Sequence, residues 1–95
     1  MDVVIHDFAA VVRDEDGHLY RVRALGRERS DGTWVGTLQF TPRGTSGGVV
    51  WRTRRETTQP SQLALRYWAL GLEPVFLEGA LGRAISFARR SRTTP

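Results

Sequence analysis

The chain has no cysteine and a single methionine, and neither lysine nor asparagine occurs in it. Without cysteine there are no disulfides and no thiolate metal sites to brace a small core. Without lysine a Walker-type phosphate loop is excluded, because that loop needs a lysine to reach the terminal phosphates. Long apolar runs are missing as well, and none approaches the roughly 20 residues of a membrane span. The opening Met1-Asp2-Val3-Val4-Ile5-His6-Asp7 is acidic where a secretion signal is basic. These absences point to a soluble, cytoplasmic protein with no membrane partner.

Arginine is what the chain has instead. All 14 basic residues are Arg, against 10 acidic residues, for a net charge of +4. The bias toward Arg, Gly and Ala and away from Lys and Asn reads as the imprint of a GC-rich bacterial genome before it reads as a nucleic-acid signal. Setting aside Arg89, Arg90 and Arg92 near the terminus lowers the net charge from +4 to +1. Ninety-five residues suit one domain, read here as residues 1–88 with a basic, flexible tail over 89–95.

Residues 3–13 are β-rich and apolar enough for a strand. In the next segment Tyr20, Val22 and Ala24 alternate with Arg21 and Arg23, the period of a half-buried strand. A third strand begins near Thr33 and runs to Phe40. Both connections end in Asp-Gly, which suits three-residue hairpin loops with Gly in the left-handed position. Taking Glu15-Asp16-Gly17 as loop sets Val12 opposite Tyr20, Ala10 opposite Val22, Phe8 opposite Ala24 and His6 opposite Gly26. Taking Ser30-Asp31-Gly32 as loop sets Val22 opposite Phe40, Ala24 opposite Leu38, Gly26 opposite Gly36 and Glu28 opposite Trp34. Both registers put the large apolar residues on one side, and a slip of one residue would scatter them. The glycine-rich stretch 42–48 reads as a mobile connection, and Val49 to Glu56 as a fourth strand with Val49 and Trp51 inward.

A helical period appears over Pro60 to Gly71. At 100° per residue, Pro60, Leu63, Ala64, Tyr67, Trp68 and Leu70 share one arc, with Leu65 alone out of place. Thr58 or Gln59 would cap the helix, Gly71 would end it in a left-handed conformation, and Pro74 would block its continuation. Val75-Phe76-Leu77-Glu78 reads as a fifth strand. Leu81, Ala84, Ile85 and Ala88 suit a short terminal helix. The expected fold is α+β, a curved, mainly antiparallel sheet of about five strands in the order β-β-β-β-α-β. One long helix packs on its concave face.

Two constellations stand out. His6, Gly26 and Gly36 form an inward row flanked by Glu28 and Trp34, with Tyr67 and Trp68 above it. This is either a notch filled by a bulky helix residue or a small pocket with a few polar groups. Filling is the plainer reading. On the outer face Arg21, Arg23, Arg27, Arg52 and Arg54 straddle a neutral strand and form a candidate anion-binding surface. A solvated face partly paired with Asp7, Glu56 and Glu78 is the plainer reading there.

His6 and His18 sit at opposite ends of the first hairpin, so no metal site is expected, and no cofactor or nucleophile is indicated. The leading functional expectation is a non-catalytic protein-interaction or adaptor module. It would act on a protein partner or by self-association through exposed Leu25, Leu65 and Phe76. Nucleic-acid binding by the arginine face and tail, and small-molecule binding at the glycine row, are the alternatives.

Overall fold

A computed structural model of the chain describes residues 1–44 and 48–93. Thr45, Ser46 and Gly47, which fall in the expected mobile connection, and Thr94 and Pro95 lie outside the described residues. The elements are β1 (Val3–Arg13), β2 (Leu19–Glu28), β3 (Trp34–Pro42), β4 (Trp51–Arg52), β5 (Thr57–Gln59), α1 (Gln62–Leu70) and α2 (Pro74–Thr93). One antiparallel sheet runs β1-β2-β3, and both β4 and β5 pair with the far edge of β3. The α+β class and the five-stranded antiparallel sheet are as the sequence predicts. Among the described residues no helix is long and apolar enough to cross a membrane.

The two hairpins close as expected. Asp14 N–H donates to the His18 carbonyl and Arg29 N–H to the Thr33 carbonyl. Gly17 and Gly32 take φ values of 86° and 85°, which an L side chain rarely tolerates. The β2–β3 register carries Val22↔Phe40, Ala24↔Leu38, Gly26↔Gly36 and Glu28↔Trp34. In β1–β2 the predicted register holds next to the turn, at Val12↔Tyr20, and then slips. Irregularities between Asp7 and Val11 and between Val4 and His6 take up extra residues of β1, so His6 faces Ala24 and Val3 faces Gly26. Bulges of this kind bend a strand and sharpen its twist. The single-residue shift near His6 inverts the alternation and carries Ile5 to Gly26.

The edge of β3 is also irregular. The predicted fourth strand is reduced to Trp51–Arg52, and Val49 stays half exposed while Trp51 packs on the core. Thr53 N–H donates to the Leu38 carbonyl, and Leu38 N–H donates to Thr53 Oγ1 at 2.9 Å. A side-chain hydroxyl thus stands in for a strand carbonyl, which explains why Thr53 is buried. Glu56 N–H resumes the ladder at the Gly36 carbonyl, and β5 follows. The fifth strand therefore precedes the helices.

Both helices depart from expectation in an instructive way. Ser61, not Thr58 or Gln59, caps α1, its Oγ accepting from Ala64 N–H at 3.1 Å. Gly71 ends α1 in a right-handed conformation, with φ at −86°. Residues 75–78 are helical rather than strand, because Pro74 opens α2 at the first-turn position that suits its fixed φ. Leu77, Ala80, Leu81, Ala84 and Ile85 then recur at three- and four-residue spacing and are all buried. This second helix is the long one, and it continues through Arg89 and Arg90, within the segment expected to be a tail.

The short helix α1 is turned about its axis relative to the prediction. Leu65 and Ala69 are its buried residues, each with no exposed surface. Leu63, Tyr67 and Leu70 are 60%, 66% and 51% exposed. This rotation has a mutational signature. We expect Leu65→Ala to cost about 2–5 kcal/mol and Leu63→Ala well under 1 kcal/mol in urea unfolding. Equal costs would contradict the rotation.

Candidate functional site

The glycine row is occupied by protein. A Cβ at Gly26 would lie 2.7 Å from Leu65 Cδ2 and 2.8 Å from Ile5 Cδ1. A Cβ at Gly36 would lie 2.6 Å from Leu65 Cδ1, 3.0 Å from Thr57 Cγ2 and 3.3 Å from Trp68 Cζ3. The residue that seemed misplaced on the helix is the one inserted between the two glycines, with Trp68 beside it. His6 stands two pairs away, opposite Ala24, and meets Phe8 edge-on, their ring centroids 4.6 Å apart. Glu28 and Trp34 pair at the far end of the hairpin, where Glu28 is exposed, and Tyr67 points away from the sheet. The seven residues do not converge on a common space.

The outer arginine face is held partly by acids. Arg27 Nε donates to Asp2 Oδ1 at 3.0 Å, and Arg52 donates to the other oxygen of the same carboxylate. The hydrogen bond from Arg52 is the largest influence on Asp2 and, with Arg27, it holds that carboxyl below its ordinary range despite an opposing cost of burial. Arg23 lies 3.5 Å from Asp7. Asp7 is thus one of the expected partners, whereas Asp2 was not foreseen and Glu56 pairs elsewhere. Arg21 is exposed on β2. Arg54 leaves this row, because the irregularity at 53–56 turns it toward α2. Its guanidinium carbon sits 4.8 Å above the centre of the Phe87 ring.

That turn opens a groove of about 890 Å³ between the edge strand and α2, lined by Arg52, Arg54 and Arg55 from one side and Arg83, Phe87 and Arg90 from the other. A terminal helix over the residues that line this wall was legible in the sequence, but its packing against the edge strand was not. The run Arg52-Thr-Arg-Arg-Glu56 did carry a signal, because three arginines in four positions fit poorly in a regular strand.

In the turn that borders this groove through Glu15, Asp14, Asp16 and His18 lie close enough to hold an ion, but the Asp14 carboxylate already serves the turn. It accepts from the backbone N–H groups of Asp16 and His18 and from the Tyr20 hydroxyl. Tyr20 in turn receives Trp51 Nε1–H at 3.3 Å. No known protein family, characterised protein or solved structure matches the chain. Function must therefore be argued from these surfaces.

The exposed apolar residues are also redistributed. Leu25 and Leu65, expected on the surface, are buried, and only Phe76 of that trio is exposed. In their place Leu63, Tyr67 and Leu70 form a stripe on α1. Val4, 52% exposed, lines one shallow depression with Leu63 and Arg66 at the terminal strand of the sheet.

The turn predicts a pH response. Burial pushes the Asp14 carboxyl upward, but hydrogen bonds from His18, Tyr20 and Asp16 outweigh it and leave the carboxyl below its usual range. Its stabilisation is present above the unfolded carboxylate value of about 3.9 and fades as pH falls through the lower folded value. Asp14→Asn should therefore flatten the loss of stability seen in urea melts between about pH 5 and pH 2. An unchanged slope would contradict this role.

Proposed function

We propose that the protein is a non-catalytic interaction module whose working surface is the outward stripe of α1. One observation carries this reading: α1 is apolar on two opposite sides, and the fold covers only one of them. Leu65 and Ala69 meet the sheet, while Leu63, Tyr67 and Leu70 fall within a sector of about 60° on the other side. Contiguous exposed apolar surface of this kind marks a contact site.

A second copy of the chain is the occupant this surface fits. The stripe runs beside β1, the terminal strand of the sheet, with Val4 extending it. A two-fold axis through this region sets each stripe against its counterpart and covers both strand edges. Arg66, exposed on the same side of α1, would then sit at the rim of the contact.

Sedimentation equilibrium tests this. The expected mass rises with concentration from 10.7 kDa toward twice that value. The exposed-site double variant Leu63→Ser/Tyr67→Ser should stay at the monomer mass and still unfold cooperatively, with a midpoint that, unlike the wild type's, does not depend on protein concentration. A wild-type mass fixed at the monomer value over the whole accessible concentration range overturns the reading.

A further inference from the structure

We propose that the groove between the irregular edge strand and α2 binds the sugar–phosphate backbone of single-stranded nucleic acid. The strand and the helix bring five arginines to its walls, one of which, Arg52, is already paired with Asp2 on the outer face, against two lining carboxylates, Glu15 and Glu56. Glu56 does not oppose a ligand. Its side chain is only 7% exposed, and its two oxygens accept from Arg83 Nη1 and Nη2 at 2.8 and 3.1 Å. This fork holds the Arg83 guanidinium in one orientation while leaving that side chain 56% exposed. Glu56 is a positioning residue for the cation beside it.

The guanidinium groups are also supported on rings. Arg54 lies over Phe87 and Arg83 over Phe76, the latter at 5.6 Å. Arginines held this way give up little side-chain freedom on binding and keep their planar forks for phosphate oxygens. Arg55 makes no ion pair among the described residues. It lies in the segment between β4 and β5, where it also lines a depression on the outer face with Arg29 and with Arg27 and Arg52, the last two paired with Asp2. The cations therefore form a belt that crosses the strand from one face of the sheet to the other. A belt suits an elongated polyanion better than a single phosphate.

The floor of the groove is low. Added Cβ atoms on Gly79 and Gly82 of α2 would meet nothing within 4 Å, so a chain can lie close to the helix. The remaining choice, between nucleic acid and an acidic peptide, is settled by the stacked Arg54–Phe87 pair. The outer face of the exposed Arg54 guanidinium, held flat over Phe87, is of the kind on which unpaired bases stack, and an acidic peptide has no use for it.

The test is fluorescence anisotropy of a short fluorescein-labelled oligothymidylate at low salt, with a polyglutamate of similar length as competitor. Two double variants compare sites at equal loss of charge. Arg54→Ala/Arg55→Ala lies in the groove, and Arg21→Ala/Arg23→Ala lies on the outer face away from it. All four side chains are exposed, so urea melts should confirm that both variants fold. Removing Arg54 and Arg55 should weaken binding about tenfold or more and reduce the logarithmic salt slope by about 1.4, the value for two lost contacts to a single strand. Removing Arg21 and Arg23 should change affinity less than about twofold, because they lie outside the groove. Equal losses in the two variants, no binding by the wild type, or displacement by polyglutamate as effective as by unlabelled oligonucleotide would each overturn the proposal.

Discussion

The structure depends on one close approach, Leu65 of α1 seated between Gly26 and Gly36 on neighbouring strands. Glycine in the middle of a strand weakens it by roughly 0.5–1 kcal/mol relative to alanine, so a facing pair costs about 1–2 kcal/mol. Burying a leucine side chain contributes about 1.5–3 kcal/mol. The two terms are of similar size, and the glycines are tolerable because the leucine fills the space they leave. Seating Leu65 also fixes how α1 is turned. With that residue inward, Leu63, Tyr67 and Leu70 have no route to the core, and the apolar outer stripe follows from packing on the inner side.

Two irregular strands make this geometry attainable. Extra residues in β1 curve the sheet and bring Ile5, in place of His6, against Gly26. On the other edge, residues 53–56 leave the ladder of β3, and the Thr53 hydroxyl keeps the Leu38 amide satisfied. A buried amide without that partner would cost about 1–3 kcal/mol, so the detour is bridged rather than frayed. Its effect is to separate Arg52, which stays with Asp2 on the outer face, from Arg54, which stacks on α2. The groove between the strand and the long helix is thus a product of the same irregularity that shortens β4.

The legible parts of the sequence were those governed by local chemistry. The Asp-Gly reversals and the alternation around Val22, Ala24, Leu38 and Phe40 determine the β2–β3 register, and the structure carries it without a slip. The Gly26–Gly36 pair could also be located in advance. The orientation of α1 could not, because an apolar arc of six residues outweighs one leucine in any periodicity argument. Burial went the other way, with Leu65 seated in the glycine gap and Trp68 beside it. Pro74 was misread for a related reason: it both stops one helix and starts another, and the sequence around it favours neither role until Leu77, Ala80 and Leu81 are seen to be enclosed together. The bulges in β1 left no signature, as nothing in Phe8-Ala9-Ala10 distinguishes a regular strand from an interrupted one.

The fold therefore presents two surfaces of opposite character, an apolar stripe on α1 and an arginine belt across the edge strand, and both rest on how α1 and the strands are seated. The most direct measurement of that seating is a double-mutant cycle on stability. Gly36→Ala alone should destabilise the protein by about 1–3 kcal/mol, because the new methyl meets Leu65 in a filled core. In a Leu65→Ala background the same change should be neutral or stabilising, giving a coupling energy of about 1–3 kcal/mol. If the two changes add, Leu65 does not occupy the space between the glycines, and the account of α1 and its outer face is wrong.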